Sequence, residues 1–204
     1  MQSFCGIVYT IRDVDHRNAE RIALRMFKAG AEAVCFATCE CEKPPDIFGR
    51  AYHRRISPDH YFWSAVAECE WFAGGRACLI ARADEEFDVD LWPLANRFAD
   101  NDWKGCVVAL APYGKADVRV ARKVNFSPAP NRWIERFETA PTPNDKLSRD
   151  DFLLTGVGIY DGRLWDVLSR MRDEKLEDDL SVPYAYLHDR SLDFLEINAG
   201  YKRD

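Results

Sequence analysis

The chain has 204 residues, 47% of them apolar, and a formal net charge of -6. That length and apolar content suit a single domain spanning residues 1–204 and exclude a disordered chain. The acidity argues against general nucleic-acid binding, and no apolar run approaches the roughly 18 residues that a membrane span requires.

The first segment, Phe4 to Ile11, is apolar and β-branched without a basic stretch before it. It reads as a buried strand rather than a secretory signal. Seven cysteines, an odd number spread through apolar runs such as those around Cys35, Cys78 and Cys106, point to reduced thiols and a cytoplasmic setting. Cys35, Cys39 and Cys41 lie close together, but their spacing is not that of a zinc knuckle.

A helix is expected from Asn18 to Ala29, with Ile22, Ala23, Met26 and Phe27 on one face and Gly30 at its C′ position. Ala33 to Thr38 reads as a short buried strand. Residues 40 to 57, polar and carrying Pro44-Pro45, read as a loop. A helix from His60 to Phe72 follows, with Asp59 as its cap, until Gly74-Gly75 breaks it. Arg76 to Ala81 is a strand, Asp90 to Asn101 a helix with Leu91, Leu94, Ala95 and Phe98 inward, and Gly105 to Ala111 a buried strand. Asp117 to Val124 and Trp133 to Glu138 alternate apolar and polar residues, and the prolines between them mark a turn, so they form a hairpin. Phe152 to Tyr160 is a strand, Gly162 to Arg172 a helix, and Val182 to Leu187 and Asp193 to Ile197 two short final strands. Alternating strands and helices predict an α/β protein with helices on both sheet faces, a Rossmann-like α/β/α sandwich with a mixed, mostly parallel sheet.

Asp84 stands just past the carboxyl end of a predicted strand, where open α/β sheets bind ligands. A carboxylate there suits a hard divalent cation beside a phosphate. The alternative for Asp84 is a turn-forming aspartate, and Asp88 reads as the N-cap of the next helix.

The order of segments resembles the sugar-phosphate nucleotidyltransferases, the family that makes nucleotide sugars. The run Ala77-Cys-Leu-Ile-Ala-Arg-Ala-Asp84-Glu-Glu-Phe-Asp88-Val-Asp90-Leu is similar to that family's strand, Gly-Asp and Asp-Leu helix. Trp133-Ile-Glu-Arg-Phe137-Glu138-Thr-Ala-Pro141 resembles its Phe-x-Glu-Lys-Pro segment. Leu153-Leu-Thr155-Gly156-Val-Gly158-Ile-Tyr160 resembles its Asn-x-Gly-Ile-Tyr strand, and Phe194-Leu-Glu196-Ile-Asn198 its Asp-Ile-Gly. The resemblance implies attack of a sugar phosphate on the α-phosphorus of a nucleoside triphosphate, with Mg²⁺ held by two carboxylates. By position, Asp84 and Glu196 would be the catalytic metal ligands, with Asp193 as a substitute for Glu196. Glu138 would bind sugar hydroxyls beside Tyr160, and Gly156 and Gly158 would let the backbone approach the ligand.

The sequence also departs from the pattern. Where the family has a Gly-rich phosphate loop, this chain has Arg12-Asp-Val-Asp-His-Arg17, without glycine and with two aspartates that repel phosphate. Arg12, His16 and Arg17 are the only basic residues there. Bulky Phe62 and Trp63 stand where the family turns around its base, and the Lys of Glu-Lys-Pro is Thr139.

Three readings follow. One is a divergent Mg²⁺-dependent nucleotidyltransferase acting on a nucleotide and a sugar phosphate. Another is an inactive relative that binds such a small molecule, or regulates a protein partner or a second copy of itself through aromatic anchors among Trp63, Trp71, Trp92, Trp103, Trp133 and Trp165. The third is a glycosyltransferase-like enzyme using a nucleotide sugar, on the strength of Asp88-Val-Asp90. A cysteine hydrolase finds no support, because His16, His53, His60 and His188 have no nucleophile motif beside them.

Overall fold

The computed structural model describes residues 3–10, 16–39, 47, 49–57, 59–87, 90–113, 116–118, 122–128, 132–139, 151–171, 180–197 and 201–203. Strand β1, Phe4–Thr10, is buried along its whole length, which requires neighbours on both edges and cover on both faces. It pairs in parallel with β2, Val34–Thr38, and with β4, Ala77–Arg82. Strand β3, Ala51–Arg55, adds to β2 in parallel and ends the sheet on that side.

On the other side of β4 comes β10, Phe152–Tyr160, antiparallel to both β4 and β6, Cys106–Pro112. Strand β11, Leu192–Glu196, then adds to β6 in parallel. The order is therefore β11-β6-β10-β4-β1-β2-β3, with a hairpin of β8, Arg122–Phe126, and β9, Ile134–Thr139, attached to β10. A separate small sheet joins β5, Glu85–Phe87, β12, Tyr201–Arg203, and β7, Ala116–Val118.

Side chains alternate across this sheet. Val8, Leu79, Val107 and Ile159 face helices α1, His16–Lys28, and α4, Trp92–Asp100, through Ile22, Met26, Leu94 and Phe98. Ile7, Cys78, Ile80, Val108 and Tyr160 face the opposite layer of α2, Phe62–Ala67, α3, Glu70–Ala73, α5, Leu164–Met171, and α6, Ser181–His188. The result is the α/β/α sandwich that the alternation predicts. Among the described residues no helix is long and apolar enough to cross a membrane.

The structure corrects four local readings. Residues 51–55 form the edge strand β3 inside the predicted loop. The predicted helix from His60 is two short helices, α2 and α3, broken at Glu68 and Cys69, and Tyr61 rather than Asp59 stands at the first N-cap. The predicted strand from Asp117 to Val124 is divided between β7 and β8. The segment Val182 to Leu187 is helix α6, not a strand; Pro183 lies in its first turn, where its fixed φ favours a helix and its missing N–H costs nothing.

Candidate functional site

The candidate site arises from a change of partner along β10. Its carboxyl half, Gly158 to Tyr160, pairs with β4, while Phe152 and Leu153 at its amino end pair with β8. The register against β6 shifts between Leu154 and Gly158, so Gly156 lies at a bulge. A notch opens between the carboxyl end of β4 and β8, lined by Phe62, Trp63, Arg82, Arg122, Thr155 and Gly156. Its enclosed volume is about 20 Å³, room for one water molecule. Phe62 and Trp63 fill it from α2, both buried and with ring centroids 4.7 Å apart. They are core residues and site residues at once.

Asp84 lies in the turn that leaves β4, at the carboxyl edge of the parallel strands. Arg82 Nε donates to its Oδ1 at 3.0 Å and Nη2 to its Oδ2 at 2.8 Å. Both side chains are nearly buried, Arg82 at 9% and Asp84 at 12% exposure. The Arg82 guanidinium also covers the Phe62 and Tyr9 rings, at 5.2 and 5.8 Å. A desolvated cation thus has a bidentate carboxylate and two π-faces around it.

Glu196 ends β11 and also meets an arginine, but through a single bond and with more solvent around the pair. Its carboxylate accepts from Arg132, whose guanidinium lies 3.8 Å from the Phe126 ring centroid and 4.9 and 5.9 Å from those of Phe152 and Phe194. Asp193, the substitute ligand, accepts from Arg97 at 2.6 and 3.2 Å and from Asn101 at 2.9 Å. Burial pushes its carboxyl up, but the bonds from Arg97 and Asn101 outweigh that and hold it below the usual carboxylate range. Glu138 on β9 pairs with Arg136 at 2.7 Å at the surface.

Tyr160 is fully inside, between Trp63 and Tyr186, and burial pushes its phenol well up. A Cβ on Gly158 would lie 2.9 Å from the Tyr160 ring, so this glycine makes room for an aromatic neighbour within the core. Gly156 lines the notch. Thr155, also at the notch, uses its hydroxyl internally, donating to Ala109 O at 2.8 Å and accepting from Val157 N–H at 3.2 Å.

The implied Mg²⁺ can be tested against these partners. Asp84 and Glu196 share no partner, and β10 and β6 separate their strands. Each already holds a guanidinium, so a cation placed on either would meet a positive charge at close range. Among the described residues no group of three or more His, Cys, Asp or Glu side chains is arranged to hold a metal. The residues as arranged do not fit a two-carboxylate metal site.

Arg12, Asp88 and Cys41 lie outside the described residues, as does the His16 side chain. Asp90 accepts from the Trp92 N–H at 3.2 Å at the start of α4. Cys35 is buried opposite Cys69, and Cys39 points at Ser57 O. Of the six tryptophans, Trp63 and Trp165 are core, while Trp71, Trp92 and Trp133 are exposed by more than half.

Sequence reasoning passed over Arg82, Arg122 and Arg132. The available signal was the proximity of Arg82 and Asp84 in sequence, at the end of β4 and in the turn that leaves it.

No family model matches the chain, and no curated protein does. Solved structures do. A glucose-1-phosphate thymidylyltransferase from Bacillus anthracis superimposes with a TM-score of 0.70 at 16% identity, covering 98% of this chain and 89% of that one. A UTP-bound UGPase from Acinetobacter baumannii gives 0.72 at 9% identity, over 98% and 88%. A CMP-2-keto-3-deoxy-manno-octonic acid synthetase gives 0.64 at 13%, over 96% and 90%. At these identities the likeness is one of fold, and it extends over nearly the whole of each molecule. The chain has the α/β/α fold of the sugar nucleotidyltransferases, in a divergent sequence whose two candidate metal carboxylates are each held by an arginine.

Proposed function

We propose that this chain is a non-catalysing relative of the sugar nucleotidyltransferases, one that keeps the scaffold as a ligand-binding or regulatory partner and does not perform Mg²⁺-dependent nucleotidyl transfer. The bidentate pair between Arg82 and Asp84 carries this reading. A guanidinium on both oxygens competes with a metal for the same carboxylate, which supports reading Asp84 as part of the fold. The small volume of the notch supports it, because a base or a sugar has no room there unless Phe62, Trp63 or Arg82 moves. A fold hosts many functions, and the site decides among them.

The test is thermal unfolding of the intact chain with each of the four common nucleoside triphosphates and with UDP-glucose, in Mg²⁺ and in EDTA. A ligand at 100 times its dissociation constant adds about 2.7 kcal/mol and raises the midpoint visibly. The expected result is no Mg²⁺-dependent shift with any nucleotide, together with no pyrophosphate release in the presence of glucose 1-phosphate. A Mg²⁺-dependent shift accompanied by pyrophosphate release would restore the reading as a divergent enzyme.

A further inference from the structure

Strands β1 and β4 are neighbours in the middle of the sheet, and their parallel register sets Cys5 directly beside Cys78. Each is the second residue of its strand, at the end of the sheet opposite the notch. Side chains in register on adjacent strands share a face, and here they meet: the two Sγ atoms lie 3.1 Å apart. Each sulfur also points at a backbone carbonyl, Cys5 at Ala77 O at 3.6 Å and Cys78 at Arg76 O at 3.7 Å. Both residues are fully buried, and both thiols are free.

A disulfide needs an S–S separation of about 2.05 Å, so the sulfurs would have to close by about 1 Å. Adjacent strands run about 4.8 Å apart, inside the roughly 4.4–6.8 Å that a disulfide spans between Cα atoms. The other close thiol pair is less favourable. Cys35 and Cys69 are 3.9 Å apart, and Cys69 stands at the break between α2 and α3. Bridging them would draw the helical layer about 2 Å toward the sheet.

We infer that Cys5 and Cys78 form a redox staple, open in a chain that folds under reducing conditions and closed in one that folds with a low-molecular-weight disulfide such as oxidised glutathione. Before the strands pair, one cysteine thiolate attacks the glutathione disulfide, forming a mixed disulfide and releasing one glutathione. As β1 and β4 come together, the second cysteine thiolate attacks the sulfur of the first and releases the other glutathione. The protein gives up two electrons and two protons, and two glutathione thiols carry them away. The bond joins residues 73 apart in sequence and encloses α1, β2, β3, α2 and α3. Such a link removes loop-closure entropy from the unfolded chain, the more so for a long loop. In the folded chain, burial shields the bond from reductant as it shields the free thiols from oxidant, because exchange requires access to the sulfur. The redox state present at folding is thereby retained.

The test unfolds the intact chain in urea and refolds it in oxidised or in reduced glutathione. Free thiols are blocked with iodoacetamide and the tryptic peptides are mapped. The peptide of residues 1–12, which holds Cys5, is expected to be linked to that of residues 77–82, which holds Cys78, only after oxidised refolding. The linked chain is expected to keep the circular dichroism of the reduced one and to have a urea midpoint higher by about 1 M. Dithiothreitol is expected to reverse the gain within hours only when urea is present. Cys5→Ala and Cys78→Ala should each abolish the gain, and Cys35→Ala should keep it. An oxidised chain without this link overturns the inference, as does one that carries it without the native spectrum and the higher midpoint. Ready reduction in the absence of urea, or loss of the gain in Cys35→Ala, overturns it as well. None of these results bears on the Mg²⁺ and nucleotide test of the notch.

Discussion

Both side-chain oxygens of Asp84 accept from one guanidinium, that of Arg82, in a pair that is about nine-tenths buried. Removing one member of such a pair leaves an uncompensated charge inside the protein, at a cost of about 3 kcal/mol or more. Asp84→Asn is therefore expected to lower the unfolding free energy by that amount, with a lower urea midpoint. The double variant Arg82→Met, Asp84→Leu is expected to recover part of it, because it removes both charges of the pair together. Equal midpoints for wild type and Asp84→Asn would show that the pair contributes nothing to the fold.

Gly158→Ala is expected to destabilise by about 1–3 kcal/mol, the range for overpacking a full core. The new methyl would meet the Tyr160 ring at 2.9 Å, and Trp63 and Tyr186 prevent that ring from retreating. Chemical denaturation of Gly158→Ala with and without Tyr160→Leu checks the cause. The second change should relieve the first, and additive losses would place the strain elsewhere.

The Arg97–Asp193 pair gives a dependence on acid. Asp193 has a depressed carboxyl pKa in the folded protein. Its contribution is present above the unfolded value of about 3.9 and disappears as pH falls through the lower folded value. Arg97 is half exposed, so the pair stabilises by about 1 kcal/mol. Asp193→Asn should be less stable than wild type by that amount at pH 7, with the difference narrowing below about pH 4. A gap that stays constant from pH 7 to pH 3 would show that the carboxylate charge plays no part.

Thiol labelling is expected to separate the described cysteines. Cys5, Cys35, Cys69, Cys78 and Cys106 are buried, and only Cys39 among the described ones is partly exposed. Burial pushes the Cys78 and Cys106 thiols well up, which keeps them protonated and unreactive. With DTNB under native conditions, Cys39→Ser should remove one fast-reacting thiol, and Cys106→Ser none. The reverse result would mean that the sheet opens readily.

The architecture was legible wherever periodicity and length agreed. Phe152 to Tyr160 is a strand at the predicted boundaries, and a hairpin forms around the predicted proline turn, although its first strand is Arg122–Phe126 and not Asp117–Val124. Helix α6 was misread because Val182, Tyr184 and Tyr186 are strand-favouring types, and tertiary packing overrides that preference. The edge strand β3, Ala-Tyr-His-Arg-Arg, has no buried run to announce it. At the site, position singled out Asp84 and Glu196, but their arginine partners could not be read. Arg132 reaches Glu196 across 64 residues of sequence, and only the fold brings them together.

The partner exchange of β10 also sets how the two walls of the notch respond to thermal opening. The inner wall, β4, is held on both edges, in parallel by β1 and antiparallel by β10. The outer wall, the β8–β9 hairpin, joins the main sheet through the register pairs Phe152 with Val124 and Leu153 with Lys123. Among the described residues few ladder bonds tie it down, so its amides should exchange with deuterium well before those of β1 and β4, as a cooperative unit of its own. The notch thus has one wall that opens early and one that holds.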